Sequence, residues 1–170
     1  MKQLWAPWRG EYLEQDPKND HCIFCEAANG ADDRAAQVVA RGRHCFVIMN
    51  RFPYNSGHVM VVPTRHSGNL PDLSDGELSE MFRYIDYSVR VAKRVLHPDG
   101  FNVGMNLSRA AGAGIVDHLH VHVVPRWVGD TNFMPVLSEV KVISEHLQAT
   151  YQKLADGFAI VLAEVQPRGA

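Results

Sequence analysis

The chain has 170 residues, enough for one domain with a proper core and too few for two of ordinary size. Lys and Arg number 17 against 19 Asp and Glu, so the net charge is −2 and the strongly basic surface of a nucleic-acid binder is excluded. No stretch approaches the ~18 apolar residues of a membrane helix, and the start, MKQLWAPWRGEY, carries no apolar run of signal-peptide length.

The three cysteines are Cys22, Cys25 and Cys45. An odd count with no leader argues for a reducing, cytoplasmic setting and against a disulfide framework. Residues 1–19 read as an N-terminal arm whose Trp5, Pro7 and Trp8 pack on the core or on a second subunit. Cys22-Ile23-Phe24-Cys25 then reads as half of a metal site, a redox dithiol or a buried reduced pair. Residues 29–35 form a turn region. Gln37–Arg41 and Cys45–Met49 are two short strands around Gly42, with Cys45 in the core. Residues 50–57, NRFPYNSG, form a loop, and His58–Val62 is an apolar strand closed by Pro63.

Ser74-Asp75-Gly76-Glu77 is a capping box that opens the longest helix, over residues 74–96. Leu78, Met81, Phe82, Ile85, Val89, Ala92 and Leu96 recur at helical spacing and form its core stripe. Pro98-Asp99-Gly100 breaks it. A strand over 101–107 leads into a glycine-rich loop, Ala110-Ala111-Gly112-Ala113-Gly114, and a strand over 117–124 ends at Pro125. A second helical pattern runs over 137–155 through Val140, Ile143, Leu147, Tyr151 and Leu154. Strands with hairpin-length connections on both sides of one helix give an α+β fold with a mainly antiparallel sheet. The whole of 1–170 reads as a single domain, its core at about 20–126 and a C-terminal extension at 127–170.

The segment richest in chemistry is His118-Leu119-His120-Val121-His122-Val123-Val124. Side chains alternate along a strand, so the histidines share one face while Leu119, Val121 and Val123 point into the core. A neutral imidazole attacks phosphorus when one ring nitrogen is free and the other N–H is held by a carbonyl or another histidine. His120, flanked on both sides, is the best oriented. The loop just before it, Asn106 to Ile115, offers small residues whose backbone N–H groups can approach phosphate oxygens. A plain polar sheet face and a three-histidine catalytic metal centre are the competing readings of the ladder.

These residues resemble the histidine-triad family, whose signature is His-φ-His-φ-His-φ-φ with φ apolar. The match is complete from His118 to Val124 and extends to Asn50–Pro63 and Ala111–Gly114. The resemblance implies a five-stranded sheet packed with one long helix, plus a C-terminal helix. It also implies attack on the α-phosphate of a nucleoside polyphosphate, dinucleoside polyphosphate or phosphoramidate through a nucleotidyl-histidine at His120. His122 and His58 would orient the nucleophile or touch phosphate, Asn106 the phosphate or leaving group, and Asn50 the ribose. Backbone N–H groups of Gly114 and Ile115, with Gly112 and Ala113 beside them, would hold phosphate oxygens. Gly114-Ile115-Val116-Asp117 offers no hydroxyl where some branches carry Gln-Ser or Gln-Thr, which leaves protonation of the leaving group to Ser108 or water. Likeness to zinc-bearing members implies a structural zinc on Cys22, Cys25, His66 and His118. The flanks, Leu4–Arg9 and Trp127–Val136, look like the dinucleoside polyphosphate hydrolase and diadenosine-tetraphosphate phosphorylase subgroup, which implies a homodimer or tetramer. A nucleotide-binding sensor without turnover is the non-enzymatic alternative.

Overall fold

The computed structural model describes residues 22–130 and 147–165. The arm with Trp5, Pro7 and Trp8 lies outside the described residues. So do Val140, Ile143 and the rest of 131–146. In chain order the elements are α1 (Ile23–Asn29), α2 (Asp33–Ala36), β1 (Val38–Arg41), β2 (Cys45–Met49), β3 (Val59–Pro63), α3 (Asp75–Val95), β4 (Gly100–Met105), β5 (Val121–Arg126) and α4 (Leu147–Val165). The strands form one antiparallel sheet in the order β1-β2-β3-β5-β4. The α+β class and the five strands agree with the reading from sequence.

Alternation divides the sheet into two chemically different faces. One carries Val47, Val61, Val121 and Val123, all at most 3% exposed, and packs under α3 and α4. Ser74 caps α3 as expected, its hydroxyl accepting from Glu77 N while the Glu77 carboxylate accepts from Ser74 N. α3 turns Met81, Tyr84, Ser88, Val91 and Ala92 inward. Phe82 is 69% exposed and does not belong to the core, contrary to the stripe read from sequence. A helix wedged between a sheet and a second helix buries a face set by both, and Tyr84 and Ser88 mark it better than Phe82 does. α4 contributes Tyr151, Leu154, Phe158 and Val161. It runs ten residues past the expected end at 155, because the apolar repeat continues through Phe158 and Val161. Gly157 lets it approach α3: a Cβ there would sit 2.7 Å from Val91 Cγ1. The Tyr84 hydroxyl donates to Arg41 O and the Tyr151 hydroxyl to Val38 O, tying both helices to β1.

The other face carries Val38, Phe46, Ile48, Met60 and Val62 at one end, covered by Phe24 and Ala27 of α1. Read across from Met60, the row reaches His122 on β5 and Gly104 on β4. Residues 29–35 were expected as turn, where α2 now begins at Asp33, and α1 was not foreseen at all, since one buried stripe of Phe24 and Ala27 is too short to register as periodicity. β5 also differs from expectation. It begins at Val121, because Pro63 has no N–H to extend the β3 ladder and Leu119 N instead donates to Ser67 O. It continues through Pro125 to Arg126, because β3 stops pairing at Val123 and the missing N–H of Pro125 faces the side without a strand.

Candidate active site

His58, His118, His120 and His122 are held by bonds that settle each ring's tautomer. A backbone N–H only donates and a carbonyl only accepts. Tyr54 N–H donates to His58 Nδ1 at 3.0 Å, so neutral His58 carries its proton on Nε2. That N–H meets His122 Nδ1 at 3.0 Å, which puts the proton of neutral His122 on Nε2. On the other side, His120 Nδ1 lies 2.9 Å from His118 O, so Nδ1 is the donor and Nε2 holds the lone pair. His118 Nε2 lies 2.8 Å from Pro63 O, so its lone pair is on Nδ1. Burial, against the opposing pull of these carbonyls, holds both His118 and His120 below the ordinary histidine range and therefore neutral at pH 7.

His120 is 6% exposed and His118 fully buried, with the His120 and His122 rings edge to face at 4.9 Å. Phe24 packs against both His118 and His120, at centroid distances of 5.4 and 5.1 Å. Tyr54 stacks on His58 at 4.8 Å and reaches His122 at 5.8 Å. Sequence reasoning assigned neither aromatic to the site. Phe24 sits between two cysteines read as metal ligands, and Tyr54 lies in a loop whose resemblance to the family gave a role to Asn50 alone. The place of Tyr54 four residues before His58 was the available signal.

The glycine-rich loop is a single turn, Arg109–Ala111, between Ser108 and Gly112. Ser108 has φ 68° and ψ 172°, a conformation disfavoured for any residue but glycine, and Gly112 has φ 85°. Asn106 Nδ2 donates to Gly112 O at 3.4 Å and so closes the loop on itself. Ala113 is buried while Gly114 is exposed and Ile115 half-buried. Ser108 lines a cleft of about 570 Å³ with Arg65, His66, Asn69, Asp72 and Asp117; His120 and His122 are not in its wall. The Asn50 carboxamide is engaged locally, accepting from Phe52 N at 2.8 Å and donating to Met60 Sδ.

At the far end of the triad Cys22, Cys25, His66 and His118 converge, their ligand atoms all within 4.8 Å of one another. Starting α1 just after Cys22 sets the two thiols three residues apart on one side of the helix. Cys22 Sγ lies 3.2 Å from His118 Nδ1, and Cys25 Sγ 3.2 Å from His66 Nδ1. The lone pair of His118 thus points into the cluster while its N–H is held by Pro63 O, the arrangement of a metal-bound imidazole. Burial and the neighbouring Cys22 push the Cys25 thiol up, a tendency a dication between the sulfurs would reverse. The four donors fit a tetrahedral metal site. His120 and His122 are not among them, so the triad does not converge as a three-histidine centre.

A family model described as HIT domain matches residues 32–129, more than half of the chain. The chain belongs to the HIT domain family. It is 42% identical over 166 residues to an AP-4-A phosphorylase of Mycobacterium tuberculosis, a match covering 94% of this chain and 85% of that protein. It is 25% identical over 135 residues to an adenosine 5'-monophosphoramidase of Schizosaccharomyces pombe, covering 75% of this chain and 96% of that one. A zinc-bound histidine triad protein of Mycobacterium smegmatis shares the fold, with 25% identity and a TM-score of 0.68 over 84% of this HIT chain and 96% of its own.

Proposed function

We propose that this HIT-family enzyme, a nucleotide hydrolase or phosphorylase, cleaves dinucleoside polyphosphates by transferring a nucleotidyl group to His120 and then to inorganic phosphate. The observation that carries the reading is the bond from His120 Nδ1–H to His118 O, which leaves the Nε2 lone pair of a neutral imidazole as nucleophile. Nε2 attacks the α-phosphorus and the bond from phosphorus to the bridging oxygen breaks. From diadenosine tetraphosphate the leaving group is ATP. The Nε2–H of His122, oriented through His58 and Tyr54 N–H, donates to a phosphate oxygen. Phosphate then attacks the adenylyl-histidine, giving ADP and restoring His120. Backbone N–H groups of Gly114 and Ile115 hold phosphate oxygens, Asn106 fixes the loop that presents them, and Asn50 lies at the ribose. The phosphorylase in M. tuberculosis, so similar over nearly the whole chain, supports phosphate over water as acceptor.

Zinc is the metal proposed for the Cys22, Cys25, His66 and His118 cluster. Bound there it supplies a structural cross-link, with all four coordination positions filled by the chain. Residues 1–170 are read as one domain acting as a homodimer in the cytoplasm. The exposed edge of β4, with Val103 49% exposed, supports association with a second copy. No helix among the described residues is long and apolar enough to cross a membrane.

Product analysis of diadenosine tetraphosphate turnover tests the acceptor. ADP plus ATP formed only with phosphate is the expected result. AMP plus ATP at the same rate without phosphate would make water the acceptor, and no turnover in either condition would overturn the dinucleotide reading.

A further inference from the structure

The loop that sets the tautomer of His58 is anchored by a carboxylate from the turn that follows β5. His58 N donates to Asn55 O at 3.1 Å, closing a turn whose Gly57 has φ 75°. The Asn55 side chain then reaches out of the loop. Its Nδ2 donates to Pro125 O at 3.1 Å and to Asp130 Oδ2 at 2.6 Å. Asp130 is the hub of this corner. Its carboxylate receives two parallel bonds from Arg126, each 2.7 Å, and a third from Trp127 N at 3.0 Å. The Asp130 side chain is only 10% exposed, so its charge is compensated by these donors rather than by water. Arg126 is held in turn by Asn102 Oδ1 at 2.7 Å.

We propose that Asn55 and Asp130 are positioning residues for the histidine relay: they fix the loop so that Tyr54 N–H holds His58 in the tautomer that orients His122. Tyr54 and Asn55 are adjacent, so release of the Asn55 side chain from Pro125 O and Asp130 frees the short segment that carries the Tyr54 N–H. A histidine without that donor is free to place its proton on Nδ1. It would then present a lone pair to His122 Nδ1, and the relay would have to reverse. Asn55 and Asp130 both act through His58. The consequence for catalysis rests on the proposed nucleotidyl transfer, whereas the consequence for the tautomer does not.

The test uses the full-length protein and three variants: Asn55→Ala, Asp130→Asn and Asn102→Ala. Side-chain nitrogen NMR reads the tautomer of His58, and steady-state kinetics with diadenosine tetraphosphate and phosphate separate kcat from KM. Wild type should show His58 protonated on Nε2 alone. Asn55→Ala should mix the two tautomers and lower kcat about ten- to hundredfold with KM nearly unchanged, the size of loss a misplacement of about 1 Å produces. Asn102→Ala removes a partner of Arg126 without touching the loop, and should leave tautomer and kcat as in wild type. Asp130→Asn should behave like Asn55→Ala; if it fails to fold, Asn55→Ala carries the test alone. A single Nε2–H tautomer and full kcat in Asn55→Ala would overturn the proposal. So would equal losses in Asn55→Ala and Asn102→Ala, which would mark the corner as general scaffolding. Should wild type turn over no dinucleotide, the nucleotidyl-transfer reading falls, and the NMR result alone decides the positioning role.

Discussion

On the face under α3 and α4, Val61 and Val123 share one apolar core with Leu154 and Phe158; one residue along the same strands, on the opposite face, Met60 meets His122. The two faces share a backbone but are stabilised differently. The helix face relies on burial, which is non-directional and tolerates exchange of one apolar side chain for another of similar size. The other face has its own apolar cluster around Phe24 and Phe46, but its histidine end relies on bonds whose direction decides which nitrogen bears a proton, and exchange of those polar side chains does not preserve that. Stability and chemistry should therefore separate by face, and substitutions on each side test that division.

The largest effect is expected on the histidine face. His120→Ala should lower turnover by at least about a thousandfold while nucleotide binding stays within a few-fold of wild type. Single-turnover rates and equilibrium binding read the two separately, and substantial residual turnover would show that another group attacks. The complementary change on the helix face is Phe158→Ala, expected to cost about 3–5 kcal/mol in denaturant unfolding. The rate per folded molecule, measured well below the melting temperature, should stay within about twofold. A rate loss matching that of His120→Ala would mean the faces are not separable.

The metal cluster adjoins the triad on the histidine face, since His118 both completes it and offers its carbonyl to His120. Chelation or Cys25→Ser should lower unfolding free energy by about 2–3 kcal/mol, the linkage expected for a metal present about a hundredfold above its dissociation constant. Zinc analysis of the purified protein accompanies this measurement, and an unchanged melting curve would remove the metal from the account.

The smallest effect concerns acid. Glu77 is held down to about 2, first by Arg65 and then by the Ser74 N–H, from a usual 4.5. A depressed carboxylate adds stability that is complete above about 4.5 and is lost as pH falls towards about 2. Glu77→Gln should cost about 1 kcal/mol at neutral pH. It should also flatten the decline in stability between those values, as read from denaturant midpoints across pH.

Much of the site was legible because the chemistry was concentrated in one strand. The spacing of His118, His120 and His122 defined a face, and the structure bears out the alternation with Leu119, Val121 and Val123. The strand bounds were less legible, because Pro63 and Pro125 act through which side their missing N–H faces, and that depends on where the neighbouring strand ends. Phe82 was read as core because periodicity records apolar residues without knowing how wide a face two packing partners bury. Tyr54, Asn55 and Asp130 escaped notice for a common reason: each acts through a bond to a group distant in sequence or through its own backbone N–H, and neither leaves a pattern in side-chain type.

On the proposed mechanism, His120 Nε2 takes up the nucleotidyl group. Rapid acid-free quenching of a reaction with diadenosine tetraphosphate, before phosphate is added, followed by peptide mass spectrometry, tests it directly. An adenylyl group on the peptide containing His120, localised to that ring and discharged to ADP when phosphate is supplied, is the predicted result. An adduct on His122 or His58, or turnover with no adduct at any time, would contradict it.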